Sequence, residues 1–187
     1  MRLRRRALLA GLWPLAHGAR AAPVRFAFDP SQARLDFTVA ALGLLDIPGR
    51  FERFQGELLL DLAAPERTRL AVEIDLASAS MADPDRTVRL RGPDFFDVQN
   101  FPRARFDSQA ARRLAADRIA LEGMLALRGR VLPLVIELLV GERRAGSLGI
   151  EATGRLSRSA YGMVADRALL GDTVRLSLSL RVAAPGG

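Results

Sequence analysis

Hydrophobic alternation of period two runs through most of this chain and constrains its fold more than any other feature. Leu35, Phe37 and Val39 alternate with Arg34, Asp36 and Thr38. Leu70, Val72, Ile74 and Leu76 are set against Arg69, Glu73 and Asp75. The pattern returns at Ile119–Leu127, Leu132–Val140, Leu148–Gly154 and Val174–Val182. Successive side chains of an extended chain point to opposite faces, so each stretch reads as a strand with one apolar face. No long stretch has helical periodicity. About eight such strands joined by short turns predict an all-β, antiparallel meander. Eight strands either close into a barrel or fold into a sandwich, and closure removes the exposed edges that long strands would leave.

Between these strands the chain is punctuated. Leu42 to Arg50 contains Gly43, Pro48 and Gly49 and reads as a loop. Asp83-Pro84 offers a cap and a first-turn proline for a short helix over Asp85 to Leu90. Arg158 to Asp172 is an irregular loop with the only Tyr, Tyr161. The stretch from Arg89 to Phe106 breaks the alternation and carries Phe95, Phe96, Phe101 and Phe106, four of the nine Phe. Gly92-Pro93 precedes the Phe pair and Phe101-Pro102 follows it. Adjacent rings in an extended segment point opposite ways, so burying both needs cover on both sides. The segment reads either as an aromatic lid packed on a sheet or as a buried connection that closes a core.

The interior is open to two readings. Gly56, Gly123 and Gly154 fall on inward positions, so parts of the interior would lack side chains and leave a long apolar cavity. Alternatively, the opposing Leu and Phe fill the space. An eight-stranded barrel accommodates either arrangement.

Composition narrows the chemistry. The chain begins with a basic run, Arg2 and Arg4 to Arg6, followed by a short apolar run from Ala7 to Ala16 and the small-residue pattern Ala19-Arg20-Ala21. Residues 1–21 therefore read as a cleavable export signal, with both the general secretory and the twin-arginine routes open. The expectation is a periplasmic protein with one domain over residues 22–187. The formal charge is +7, but residues 1–21 hold five of the 28 basic residues and no acid. The remainder carries 23 basic against 21 acidic residues, net +2. A nucleic-acid partner then loses its electrostatic motive. The only His is His17, and Cys and Lys are absent. A Ser-His-Asp triad, a Cys or His metal site and a Schiff-base lysine are excluded beyond residue 21. Asp94 and Asp97 are the one acid pair near the aromatic stretch, and solvated turn carboxylates explain them better than catalysis. The expectation is a protein that is not an enzyme, with no cofactor and no metal.

Several segments, in order and spacing, resemble the YceI-like family of exported lipid-binding proteins. They include Leu35–Gly43, Gly49–Gly56, Ile74–Ser78, Leu90–Pro102, Phe106–Ser108, Gly123–Gly129 and Arg158–Met163. The Asp-Phe-Phe-Asp run at Asp94–Asp97, with Phe101-Pro102, is the most specific. The resemblance implies an eight-stranded antiparallel, lipocalin-like barrel with a short helix near residues 85–92. It also implies a long polyisoprenoid, a quinone or a polyprenyl lipid, threaded into the interior. The chain departs from the family pattern at Ala41, Thr87, Arg89, Ala126 and Ala160, where the family usually has His, Asp, His, Thr and Asp; at Arg86 the Arg of the family's Arg-Asp pair is kept. The apolar tunnel is thus better supported than any particular head-group site.

On this reading the ligand-facing residues are Phe37, Val39, Phe51, Phe54, Leu58 and Phe95. To these are added Phe96, Phe106, Leu125, Leu127, Tyr161 and Met163. The expected partner is an isoprenoid or other long-chain lipid, with room for transient membrane contact and for a homodimer. The alternative is a non-enzymatic, stress-related barrel with a filled core that acts through its surface.

Overall fold

The computed structural model describes residues 23–144 and 146–183. The predicted export signal lies outside the described residues. Among the described residues there are eleven strands, beginning with β1 (Val24–Phe28), β2 (Ala33–Ala41), β3 (Leu45–Phe51), β4 (Phe54–Leu60), β5 (Arg69–Asp75) and β6 (Ala79–Met81). After one helix, α1 (Pro84–Arg91), come β7 (Arg103–Arg113), β8 (Arg118–Leu127), β9 (Arg130–Arg144), β10 (Ser147–Ser157) and β11 (Leu170–Ala183). They form a single sheet in the order β1-β4-β5-β7-β8-β9-β10-β11-β2-β3-β6. Every pairing is antiparallel.

The sheet curls on itself. Phe28 at one end of the strand order and Phe51 near the other belong to the same buried cluster as Leu121, Leu138 and Leu180. A flat sheet of this width could not bring those residues together. The all-β, antiparallel, barrel-like class is as the alternation predicts. The strand number is eleven rather than eight, because three strands carry weak sequence signals: the five-residue β1, β3 and β6. β3 contains Pro48 and Gly49, which read as a loop, yet it pairs with β2 from Leu45 to Phe51. Its other neighbour, β6, reaches only Gly49 to Phe51. Pro48 therefore lies along a largely open edge, where a residue without an N–H is tolerated. β6 itself is three residues long and made of small and polar side chains.

The inward glycines do not create the empty space. The Phe28 ring lies over Gly56, where a Cβ would meet its Cζ at 2.3 Å. Phe106 lies over Gly123, and Ile136 over Gly154, at 2.8 and 2.5 Å. Each glycine is the floor on which a neighbouring side chain rests, and the interior around all three is filled.

Register fixes the two ends of the barrel. Leu127 faces Arg130 across the β8–β9 turn, and Leu170 faces Ala41 across β11 and β2. The β2–β3 turn, the β8–β9 turn and the β10–β11 connection therefore share one end. Helix α1 closes that end. Asp83 caps it, accepting from the N–H groups of Asp85 and Arg86, and Pro84 opens its first turn. Thr87 ties it to β6 by accepting from Met81 N at 3.0 Å, and Arg91 Nε donates to Ala79 O at 2.9 Å.

Candidate ligand cavity

The two rings of the aromatic lid reach one place. Residues 93–96 follow α1 as a tight turn rather than an extended segment. Phe96 N donates to Leu90 O at 3.0 Å, and Phe95 N to Gly92 O at 3.1 Å. In a turn, adjacent side chains are no longer forced to opposite faces, and Phe95 and Phe96 both line the same cavity. Phe96 meets Phe37 edge-on, with centroids 6.2 Å apart, and Phe51 at 5.7 Å. Phe37 meets Phe51 at 5.2 Å. Phe101 turns away and rests on Gly129.

The cavity lies inside the helix end of the barrel and has a volume of about 440 Å³. Ligand sites generally span roughly 300–1,000 Å³. Twenty-two of its twenty-six lining residues are apolar, and the others are Arg86, Arg89, Arg158 and Asp166. The lining continues to the outside. Leu42, Leu45 and Leu169 line the cavity and are 63, 63 and 55% exposed. Leu42 N donates to Leu169 O at 2.8 Å, so the β2–β3 turn and the β10–β11 connection form one rim. Leu42 holds a left-handed φ of 51°, which is unusual for a bulky residue.

The rim also carries charge. Arg89 pairs with Asp166, and its guanidinium stands 5.7 Å from the Phe95 ring centre. Deeper in the wall, Arg158 is 3% exposed. Its Nε donates to Gly171 O, its Nη1 to Met163 O and Ala165 O, and its Nη2 to Leu170 O, all at 2.7–2.9 Å. One arginine thereby gathers the whole β10–β11 connection. Burial pushes its pKa below the ordinary arginine value, against the pull of Asp172. Asp172 is held below the usual carboxylate range by the hydroxyls of Ser157 and Ser159. Burial likewise raises the Tyr161 phenol.

Of the residues read from the sequence as ligand-facing, eight line the cavity: Phe37, Val39, Phe51, Phe95, Phe96, Leu125, Leu127 and Met163. Phe54, Leu58, Phe106 and Tyr161 are buried but lie outside the lining. Alternation names the inward face and not the depth along the barrel. Leu58 faces Phe26 across β4 and β1, towards the packed end, and Phe106 covers Gly123. Sequence reasoning passed over the rim leucines, because Leu42–Arg50 reads as a loop. It also passed over Arg158, since nothing in a single sequence distinguishes a buried arginine from an exposed one.

The fold and the cavity define a lipocalin-like antiparallel β protein with an internal apolar site. The chain belongs to the YceI-like family, whose domain is matched over residues 26–182. It is 27% identical over 170 residues to a UPF0312 protein of Ectopseudomonas mendocina, covering 87% of this chain and 89% of that one. Among solved structures it is similar to Burkholderia cenocepacia BcnA, with a TM-score of 0.76 and 20% identity over 83% of this chain and 99% of that one. It is also similar to a polyisoprenoid binding domain from Saccharophagus degradans implicated in plant cell wall breakdown. There the TM-score is 0.64, with 18% identity over 86% of this chain and 98% of that one.

Proposed function

We propose that this protein is a periplasmic carrier that holds a long isoprenoid lipid, of the quinone or polyprenyl type, inside the barrel. One observation carries the reading: a cavity of about 440 Å³ with an almost wholly apolar wall. Apolar burial contributes ~25 cal/mol per Å², enough for a long tail to bind after ordering costs. The tail lies against Phe37, Phe51, Phe95, Phe96, Leu125 and Leu127. The exposed leucines of the rim support brief contact with a bilayer, through which a lipid enters without crossing water. The protein binds and releases its ligand without chemistry, as a monodomain barrel over residues 22–187 freed from its export signal.

Native mass spectrometry with organic extraction, on protein purified from the periplasm of its own host, tests this reading. One additional mass of an isoprenoid lipid, released by solvent, is the expected result. A bare mass with no uptake of added quinone or polyprenol overturns it.

A further inference from the structure

Of the ten large apolar side chains exposed among the described residues, six stand at the helix end of the barrel. Leu42, Leu44 and Leu45 belong to the β2–β3 turn, Val88 to α1, and Val164 and Leu169 to the β10–β11 connection. The other four are split between the far end, at Leu62 and Leu114, and the outer face of β9, at Val131 and Val135. Three of the six, Leu44, Val88 and Val164, are 90, 71 and 48% exposed and line no part of the cavity. Neither the core nor the ligand wall accounts for them. Val88 lies about 200° round the helix from Arg86 and from Leu90, which line the cavity, so it points away from the interior. Leu42 and Gly43 both hold a left-handed φ, 51° and 70°. A two-residue turn of that kind favours Asn-Gly, and the leucine in it carries strain while placing apolar bulk beyond the rim. The three elements are tied together by Leu42 N donating to Leu169 O and by Arg89 with Asp166. Single exposed apolar side chains are ordinary, but a gathered set of this kind marks a contact surface. The charges beside it come in opposite pairs: Arg89 with Asp166, Arg175 with Asp46, and Arg86 with Asp83. The barrel end therefore presents protruding apolar tips around an apolar opening, with ion pairs that leave little field of either sign.

Resting on the carrier reading, we infer that this end is a three-point docking surface for a phospholipid bilayer, entered by apolar insertion and not by charge. Leu44, Val88 and Val164 sink into the boundary between head groups and acyl chains, one from each of three elements. Three points fix a plane, so the barrel stands mouth-down and the cavity opens directly onto the acyl chains. The tips are convex, which suits a deformable lipid surface better than the flat or concave face of a folded partner. Because the neighbouring charges are paired, a zwitterionic bilayer is sufficient, and neither salt nor added anionic lipid changes the binding much.

Flotation with phosphatidylcholine vesicles, with and without phosphatidylglycerol and at low and high salt, tests this on the protein purified from the periplasm. The parent chain should float with pure phosphatidylcholine and stay bound at high salt. Burying one large apolar side chain strengthens partition about tenfold, so the double variant Leu44→Ser with Val88→Ser should bind about a hundredfold more weakly. Neither residue lines the cavity, so its uptake of geranylgeraniol from detergent should match the parent's. Orientation is read with brominated phosphatidylcholine: fluorescence of Leu44→Trp should be quenched, and that of Val135→Trp, on the side of the barrel, should not. Binding that needs phosphatidylglycerol and is lost with salt overturns insertion, as does equal quenching at the two positions. A dimer that forms without vesicles and is lost in the double variant gives the surface to a second copy and overturns the bilayer. Uptake of geranylgeraniol without vesicle binding overturns the docking surface and leaves the carrier reading standing; vesicle binding without uptake of any isoprenoid does the reverse.

Discussion

Arg89 on α1 holds Asp166 in the β10–β11 connection by a hydrogen bond, Nη2 to Oδ1 at 2.9 Å, and an ion-pair contact, Nη1 to Oδ2 at 2.8 Å. The pair ties the helix to the loop at the mouth of the cavity, and both residues line it. Their side chains are 55 and 24% exposed, so the pair contributes at most about 1 kcal/mol.

Breaking that pair should open the mouth more often without unfolding the barrel. Asp166 has a φ of 54°, a conformation that Asn also tolerates, so Asp166→Asn removes the charge and keeps the backbone. Displacement of a bound fluorescent lipid should quicken by up to about fivefold, with stability lowered by less than about 1 kcal/mol. An unaltered release rate would show that the pair does not restrain exchange.

Two buried phenylalanines should behave differently. Phe96 is 8% exposed and lines the cavity; Phe106 is 4% exposed and packs over Gly123. Truncating either to Ala should cost about 3–5 kcal/mol in thermal or denaturant unfolding. Only Phe96→Ala should also lose retained lipid on extraction. Equal retention by the two variants would remove the lid from the site.

Gly49 forms the floor beneath Phe37, where a Cβ would come within 2.1 Å of the ring. Gly49→Ala must push that ring into the cavity, costing about 1–3 kcal/mol and reducing the room for ligand. Gly43 offers a contrast: nothing lies within 4 Å of its would-be Cβ, but its φ is +70°. Gly43→Ala should cost only about 1 kcal/mol of backbone strain, with ligand capacity intact. Unfolding curves and lipid stoichiometry on both variants separate the two effects.

Acid should weaken the mouth through Asp172, whose pKa is depressed by the hydroxyls of Ser157 and Ser159. A carboxylate with a lower pKa in the folded state adds stability above its unfolded value near 3.9, and that stability is lost as pH falls through the folded pKa. In Asp172→Asn the melting temperature should therefore fall less steeply on the acid side than in the parent chain. Parallel acid limbs would show that the carboxylate is not coupled to folding.

Leu44 is 90% exposed at the tip of the β2–β3 turn and does not line the cavity. Leu44→Ser should leave stability within about 0.5 kcal/mol. Transfer of lipid from vesicles should slow, while uptake from detergent solution stays the same. Equal slowing from both sources would argue against a bilayer contact.

The faces of the strands were legible from alternation, and the cap at Asp83-Pro84 announced α1. β3 was hidden, because Pro48 and Gly49 carry turn signals that an open sheet edge overrides. The inward glycines were visible as positions but not as floors, since the side chain covering each one comes from another strand. Phe95 and Phe96 stood out as a pair, yet their shared direction depends on a turn held by Leu90 O and Gly92 O.

The sequence by itself determined the class of structure and the apolar character of the interior, because a two-residue period can bury one face of a strand in only one way. Tertiary structure alone decided where the space remains. Filling depends on what lies opposite: Phe28 covers Gly56, Phe106 covers Gly123, and the Phe37, Phe51 and Phe96 rings surround an opening instead of closing it. It also decided that Arg158 is buried, through carbonyls of Met163, Ala165, Leu170 and Gly171 that converge only when β10 and β11 pair.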